Sequence, residues 1–451
     1  MAELPDDLVH LIPAYLGAQR WFFGADPPDP GAVQVEKPTE LWASDDGVHR
    51  LWHVIVSAGR HWYQLLLGER PAGEEAEFLH GREEAVLGAV SYAFFYDATL
   101  DSEMAKILLE VVSEGREQAT FARQLAAEQS NTSLVYDDRI ILKIFRRLHE
   151  GRNPDVEVTT ALAEAGFESL AQPVVYWRDE RFDLAFGQEF LAGGTEGWAL
   201  AVTSLRDLYN SESRRPEEAG GDFSADAERL GRVTAEMHLA LRDVFGSAPA
   251  SEATAAWSEL VDGFAPRLGA ASTTAGVDLT EDGSSLVGSF RRVRDPGTYT
   301  RVHGDYHLGQ VMRTDGGWRV LDFEGEPTKP LEERIRPSSP LKDVGGMLRS
   351  FHYAARHVLG EHRPAEWDDL LPLASAWELR NRQAFLDGYQ EVVGIEAMLP
   401  DPASAPVVLA AFELDKALYE LDYELAHRPE WVTIPLDALD RLIHGSGSEE
   451  S

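Results

Sequence analysis

The sequence predicts an α+β chain of two lobes, rich in strands as far as residue 190 and helical beyond Thr195. Three features carry that expectation. Residues 50–56 and 61–67 alternate apolar and polar side chains, the period of a strand, and residues 140–145 (IILKIF) are strongly β-forming. Past Thr195 the period changes. Leu230, Val233, Met237, Leu241 and Val244 recur at three- and four-residue steps, the stripe of an amphipathic helix. Residues 299–326 (YTRVHGDYHLGQVMRTDGGWRVLDFEGE) then return to the β pattern and concentrate the polar chemistry. At 451 residues the chain exceeds one hydrophobic core, so two or three domains are expected.

The net charge of −36 argues against nucleic acid and anionic membrane as partners, since both need a basic patch. An acidic chain that binds ATP must gather its few cations at the phosphates and rely on Mg²⁺. The absence of cysteine excludes disulfides, thiolate zinc sites and a cysteine nucleophile. The start, MAELPDDLVH, is acidic and lacks the apolar core of a secretory signal. The longest apolar stretch, about 405–412, falls far short of a membrane span. A cytoplasmic monomer is the resulting expectation.

In chain order, a short helical pattern precedes Trp21, Phe22 and Phe23, strands follow, and 68–84 reads as a polar loop. Residues 127–145 read as strand, turn, strand, with Asp137-Asp138 in the turn. Lys143 stands in the second, otherwise apolar strand. Glu157 follows in a helix whose start is marked by Asn153 as cap and Pro154 in the first turn. A strand Lys paired with a helix Glu is how kinases hold the α/β-phosphates, and Ser130–Ser133 would be the covering loop, with Ser133 at the nucleotide. Residues 182–191 read as a buried strand and its exit. In a bilobal kinase this is the hinge on which the lobes close over ATP, with Gln188, Glu189 and Phe190 offering backbone groups to adenine. Residues 210–226 and 248–254 read as polar connectors, His238 as a solvated helix residue, and 329–340 as a loop before a helix beginning at Leu341. The tail from Gly445 reads as disordered.

Within 299–326 the expected elements are a strand (299–302), a loop (303–309), a strand (310–313), a turn at Asp315-Gly316 needing positive φ, and a strand (318–323). Asp305, Gln310 and Asp322 come together in this scheme. The spacing follows the logic of H-R-D-x-x-x-x-N and D-F-G in protein kinases. Asp305 is then the catalytic base that orients the acceptor hydroxyl, and Gln310 and Asp322 are the Mg²⁺ ligands. Asp343 is expected to brace the catalytic loop. Residues 412–431 form a helix with Leu414, Leu418, Leu421 and Leu425 on one face and Lys416, Tyr419, Glu420 and Tyr423 on the other. Facing a cleft, the second set would bind a sugar: rings stack on the pyranose and charged groups bond to its hydroxyls.

Many segments, in order over nearly the whole chain, resemble one family: QRWF, EQSNTS, ILKIFRR with NPDVEV, EGWALA with SLRDLY, GGDF, HGDYHLGQVMR, LDFEGEP, GGMLRSFHYA, RNRQAFLDGY, and FELDKALYE with HRPEW. The chain resembles the actinobacterial maltokinases and the maltokinase-like glucosamine kinases, in the aminoglycoside-phosphotransferase-like branch of the protein-kinase fold. The resemblance implies an N-terminal cap subdomain (1–88), a kinase-like N-lobe with the ATP site (89–190) and a large helical C-lobe with the sugar site (191–445). It implies the same roles for Asp305, Gln310, Asp322, Lys143 and Glu157, and places Lys416, Tyr419, Glu420 and Tyr423 on the acceptor wall. The chain departs from the usual maltokinase pattern at Tyr306 (commonly Leu), His352 (often acidic), Asp422 (small) and Ala426 (Arg).

An ATP- and Mg²⁺-dependent sugar kinase is therefore expected. A pseudokinase is disfavoured because the Lys, the base and the metal ligands are all kept. An aminoglycoside phosphotransferase would suit the −36 charge, but the cap and the FELDKALYE helix argue against it. Glucosamine, giving the 6-phosphate, is preferred over maltose, giving the 1-phosphate. The added carboxylate at Asp422 and the lost cation at position 426 flank Tyr419 beside Asp415, which would favour an ammonium.

Overall fold

The computed structural model describes residues 4–23, 28–36, 38–74, 76–125, 131–326 and 328–445. Part of the expected phosphate-covering loop (Ser130) and the tail beyond Gly445 lie outside the described residues. Contacts divide the chain into two units. One is 1–157 with 171–192, and the other is 158–170 with 193–451.

In the first unit the Arg50–Ala58 and His61–Pro71 strands are buried along nearly their whole length, not on alternate residues. The reason is that both faces are covered. Trp52, Val54 and Val56 pack with Tyr15 and Leu16 of the Ile12–Ala18 helix, while Leu51 and Leu66 pack with Leu108 and Leu109 of the Ser102–Val112 helix. These strands centre a seven-stranded sheet. The segment expected as a loop from 68 is partly strand, since His61–Pro71 runs on and pairs with Ala93–Asp97. A five-stranded sheet follows, in the order Pro173–Arg178, Asp183–Glu189, Ile140–Phe145, Asn131–Tyr136, Ala122–Gln124. Its central hairpin turns at Asp137 and Asp138, both left-handed (φ +50° and +48°), as a tight two-residue turn needs.

Residues 1–88 and the strands after them share this unit. Arg147 and Leu148 pair with Tyr63 and Trp62 of the first sheet, and the fully buried Arg146 donates to both oxygens of Asp97 at 2.9 and 2.7 Å. Burial works against the Asp97 charge, but Arg146 outweighs it and holds that carboxyl below the usual range.

The second unit is helical around one core and carries a three-stranded sheet of Thr195–Glu196, Val311–Thr314 and Gly317–Val320. The Ser224–Phe245 and Trp367–Gln390 helices cross at glycines. A Cβ at Gly231 would stand 2.0 Å from Phe385 O, and one at Gly388 would stand 1.9 Å from Glu228 O. That close approach turns the His238 face of the first helix inward, so His238 is fully buried rather than solvated. The expected connectors are shorter than read, because helices begin at Ser224 and Ala250, and Leu331–Arg334 adds a short helix within 329–340. Among the described residues no helix is long and apolar enough to cross a membrane.

Candidate active site

The 299–326 segment folds with two differences from its sequence reading. Residues 299–302 form no ladder strand: Thr300 makes isolated bridges to Ser247 and Ser338. The hairpin closes between Thr314 and Gly317, and the positive φ falls on Gly317 (+110°), not on Asp315 or Gly316. The last strand ends at Val320. Beyond it Leu321 N donates to Gln310 O at 2.9 Å, and Asp322 adopts φ +62°, which takes it off the ladder.

The loop that carries Asp305 is fixed from below. Asp343, near the start of the Leu341–His362 helix, accepts from His303 N at 2.8 Å and Gly304 N at 2.9 Å. It also lies 3.1 Å from His238 Nε2, whose Nδ1 is 2.9 Å from Tyr389 OH. One tautomer satisfies both ring nitrogens: Nε2–H donates to Asp343 and Nδ1 accepts from the tyrosine. Burial opposes the Asp343 charge, yet His238 and the loop donors hold its pKa low. Asp343 thus braces the loop, as its position suggested. The Leu341–His362 helix comes so near that a Cβ at Gly346 would lie 2.6 Å from Tyr306 O. Tyr306 is itself buried, with its hydroxyl 2.9 Å from Thr234 Oγ1. His303 Nε2 donates to Leu321 O at 2.8 Å and so ties the loop to the segment carrying Asp322.

Asp305 stands over a cavity of about 260 Å³. Its Oδ1 accepts from Lys416 Nζ at 2.8 Å, while Oδ2 is 3.9 Å from His307 Nε2. Burial pushes the carboxyl up, but Lys416 and then His307 overcome it and hold the pKa well below the usual range. Burial lowers the His307 pKa against the pull of Asp305. Tyr419 lines the same cavity, with Lys416 Nζ 4.9 Å from its ring centre.

The other expected acceptor residues are placed differently. Glu420 accepts from the buried Arg349 at 2.6 Å. Tyr423 is 39% exposed, stacked between Tyr419 and His427 in a ladder leading away from the cavity. Asp422 is exposed and does not line the cavity. His352 is buried beside Glu378, flanked by Arg356 and Arg441, and burial with Arg349 nearby lowers its pKa to about 3. The walls of the cavity also hold Asp415, which the sequence set beside Tyr419, and Arg267, Glu326, Lys329 and Lys342, which it did not mark.

Gln310 and Asp322 meet as expected, with the amide 3.4 Å from Asp322 Oδ2. Glu324 places an oxygen within 4.8 Å of an Asp322 oxygen, a neighbour the sequence showed only as the third letter of D-F-E. Carboxylates and an amide oxygen are hard donors, so this set fits Mg²⁺.

In the first unit Lys143 Nζ lies 3.6 Å from Asp155 Oδ2, a buried carboxylate two residues before the expected partner Glu157. Asn153 caps that helix, accepting from Asp155 N at 2.8 Å. Asn131, Thr132 and Ser133 are not a loop: they are buried residues of the Asn131–Tyr136 strand, opposite Phe145, Ile144 and Lys143. The N–H groups of Glu189 and Phe190 donate to Gln172 O and Arg139 O, and the Gln188 amide donates to Ala171 O.

A five-stranded sheet carrying a Lys–carboxylate pair, and a helical unit carrying a braced Asp over a cavity with hard oxygen donors, define a kinase-type phosphotransferase. Residues 110–371 match the phosphotransferase enzyme family, to which the chain belongs, and residues 15–101 match the maltokinase N-terminal cap domain. The chain is 27% identical over 343 residues to a glucosamine kinase of Mycolicibacterium smegmatis, covering 74% of this chain and 82% of the relative. It is 29% identical over 364 residues to a glucosamine kinase of Streptacidiphilus jiangxiensis, covering 75% and 77%. A solved glucosamine kinase in complex with glucosamine, ADP and inorganic phosphate shares the fold, with TM-score 0.68 and 22% identity over 98% of this chain and 100% of that one.

Proposed function

We propose that the chain is an ATP-dependent sugar kinase whose acceptor is glucosamine and whose product is glucosamine 6-phosphate. The observation that carries this reading is Asp305, held ionised at a cavity of about 260 Å³. That volume falls below the roughly 300–1,000 Å³ of sites for drug-sized ligands, which suits one sugar ring better than an aminoglycoside. The glucosamine kinases among the relatives, one solved with glucosamine and ADP, support the same acceptor and nucleotide.

Lys416 occupies Oδ1 of Asp305, so the acceptor hydroxyl meets Oδ2. Asp305 aligns the hydroxyl oxygen for attack on the γ-phosphorus and takes its proton on Oδ2, while the bond from that phosphorus to the β-phosphate oxygen breaks and ADP leaves. A carboxylate of such low pKa is a weak base, so the proton moves late, which suits a loose phosphoryl-transfer transition state. Lys416 keeps the carboxylate ionised and its lone pair directed. Lys143, with Asp155 beside it and Glu157 on the same helix, holds the nucleotide phosphates, and Ser133 and Gln188 on their strands, with Phe190 just past the second, are the nucleotide-side residues. Gln310, Asp322 and Glu324 would hold Mg²⁺, which neutralises charge on the phosphate oxygens.

The acceptor preference no longer rests on Asp422, which is exposed. It rests on cavity size and on the carboxylates Glu326 and Asp415 in its wall. The match to a maltokinase cap keeps maltose as the second reading, giving the 1-phosphate. Specificity constants for glucosamine, glucose, N-acetylglucosamine, maltose and kanamycin decide. Glucosamine is expected to lead, and a lead for maltose or kanamycin would replace the reading.

A further inference from the structure

The cavity beneath Asp305 has an unusual charge arrangement. Its walls hold three carboxylates and four cations. Each carboxylate is already matched. Asp305 takes Lys416 at 2.8 Å, Glu326 takes Lys329 at 2.7 Å, and Asp415 takes Arg267. The fourth basic side chain, Lys342, has no ion-pair or hydrogen-bond partner for its amine among the described residues, and burial, with Lys329 nearby, lowers its pKa. An ammonium that entered without displacing anything would add positive charge to a wall whose carboxylates are already paired.

An ammonium that takes one of these carboxylates must exchange for the cation already on it, and the three pairs differ in how readily they open. Arg267 holds Asp415 twice, through the carboxylate and through the backbone oxygen at 3.1 Å. Lys416 has 22% of its side chain exposed and is fixed by Asp305 and by the Tyr419 ring. Lys329 is the loose partner. Its side chain is 36% exposed, it sits three residues after Glu326 outside any helix or strand, and its ammonium makes one ion pair among the described residues. Glu326, by contrast, is 7% exposed, so it stays in the wall when Lys329 leaves.

We propose that Glu326 is the group that reads the acceptor's ammonium, and that Lys329 is an internal counter-ion occupying that ammonium's place until the sugar displaces it into solvent. The exchange leaves the charge of the wall unchanged and gives Glu326 a charge-assisted hydrogen bond that a neutral hexose cannot supply. The inference rests on the amino-sugar reading of the cavity and names the residue that enforces it.

The test compares the wild type with Glu326→Gln and Lys329→Met, reading the glucosamine-to-glucose ratio of kcat/KM and, by calorimetry, the same ratio of binding constants. A charge-assisted bond against a neutral one is worth about tenfold. Glu326→Gln is expected to bring the ratio close to one, and Lys329→Met to raise it severalfold by removing the competitor. A purely structural turn would lower the melting temperature in both variants without moving either ratio. If the wild type prefers glucosamine and Glu326→Gln keeps that preference within twofold, the inference is overturned and the kinase reading stands. If glucosamine binds in a Glu326-dependent way but receives no phosphoryl group, the kinase reading is overturned alone. Binding of neither sugar overturns both.

Discussion

Replacing Asp343 by Asn tests whether the catalytic loop is held by charge from the helices behind it. The carboxylate receives His303 N at 2.8 Å, Gly304 N at 2.9 Å and His238 Nε2 at 3.1 Å, in a fully buried position. An amide offers one oxygen, so at least one backbone donor faces an NH₂ group instead of an acceptor. Losing one bond to a charged group costs about 1.5–3 kcal/mol, and leaving a buried donor unsatisfied costs about 1–3 kcal/mol. The two together come to roughly 2.5–6 kcal/mol, a large part of a total stability of about 5–15 kcal/mol. The melting temperature is expected to fall by about 6–20 °C. Because Gly304 precedes Asp305, a displacement near 1 Å should also cut kcat about a hundredfold. There is a pH signature as well. The folded pKa of Asp343 lies below its unfolded value, so its contribution is full above about pH 4 and is lost as pH falls through the folded pKa. The Asn variant should lose that acid dependence. Steady-state kinetics near neutral pH and thermal melts carried from about pH 8 down to about pH 2 measure all three effects, with His238→Ala as a milder control that leaves both loop bonds in place. A variant that melts lower yet keeps kcat within threefold would show that Asp343 supports the fold without positioning the base.

Three further outcomes are expected. Asp305→Asn should lower turnover by at least about a hundredfold while leaving nucleotide affinity, read by calorimetry, nearly unchanged; residual activity above about 1% would remove Asp305 from the role of base. Lys416→Met removes the cation that outweighs burial at Asp305, so the carboxyl pKa should rise and the acid limb of the kcat/KM profile should move to higher pH; an unmoved limb would mean that Lys416 does not set that carboxylate. Gly388→Ala forces a methyl group to within 1.9 Å of Glu228 O, so the helices must part, with a loss of at least about 1–3 kcal/mol and a lower kcat as Tyr389 and His238 shift. A melt and a kcat both equal to those of the wild type would show that this crossing has slack.

What the sequence made legible is what it keeps local. Asp305, Gln310 and Asp322 lie within eighteen residues on one hairpin, so spacing alone brought the last two to 3.4 Å. Asp343 was legible as a brace because a helix start beside a catalytic loop has unpaired backbone donors near it. The rest depends on crossings that no single segment records. His238 sits on a helix whose polar face becomes an inner face only because Gly231 and Gly388 let a second helix close over it. The cavity wall draws Arg267, Glu326, Lys342 and Asp415 from four separate stretches, each of which reads alone as an ordinary charged surface. Asp422 failed in the opposite way. A helical projection sets it beside Asp415, but a projection discards rise, and seven residues are two turns, about 10 Å along the axis. That distance separates a carboxylate held by Arg267 in the cavity wall from one in solvent. The question of which sugar binds therefore moves along the same helix, from the exposed turn at Asp422 to the turn of Asp415 and Lys416. There an acidic chain with 41 Lys and Arg against 77 Asp and Glu sets four cations around three carboxylates. An acceptor is chosen there by which of those pairs it can open.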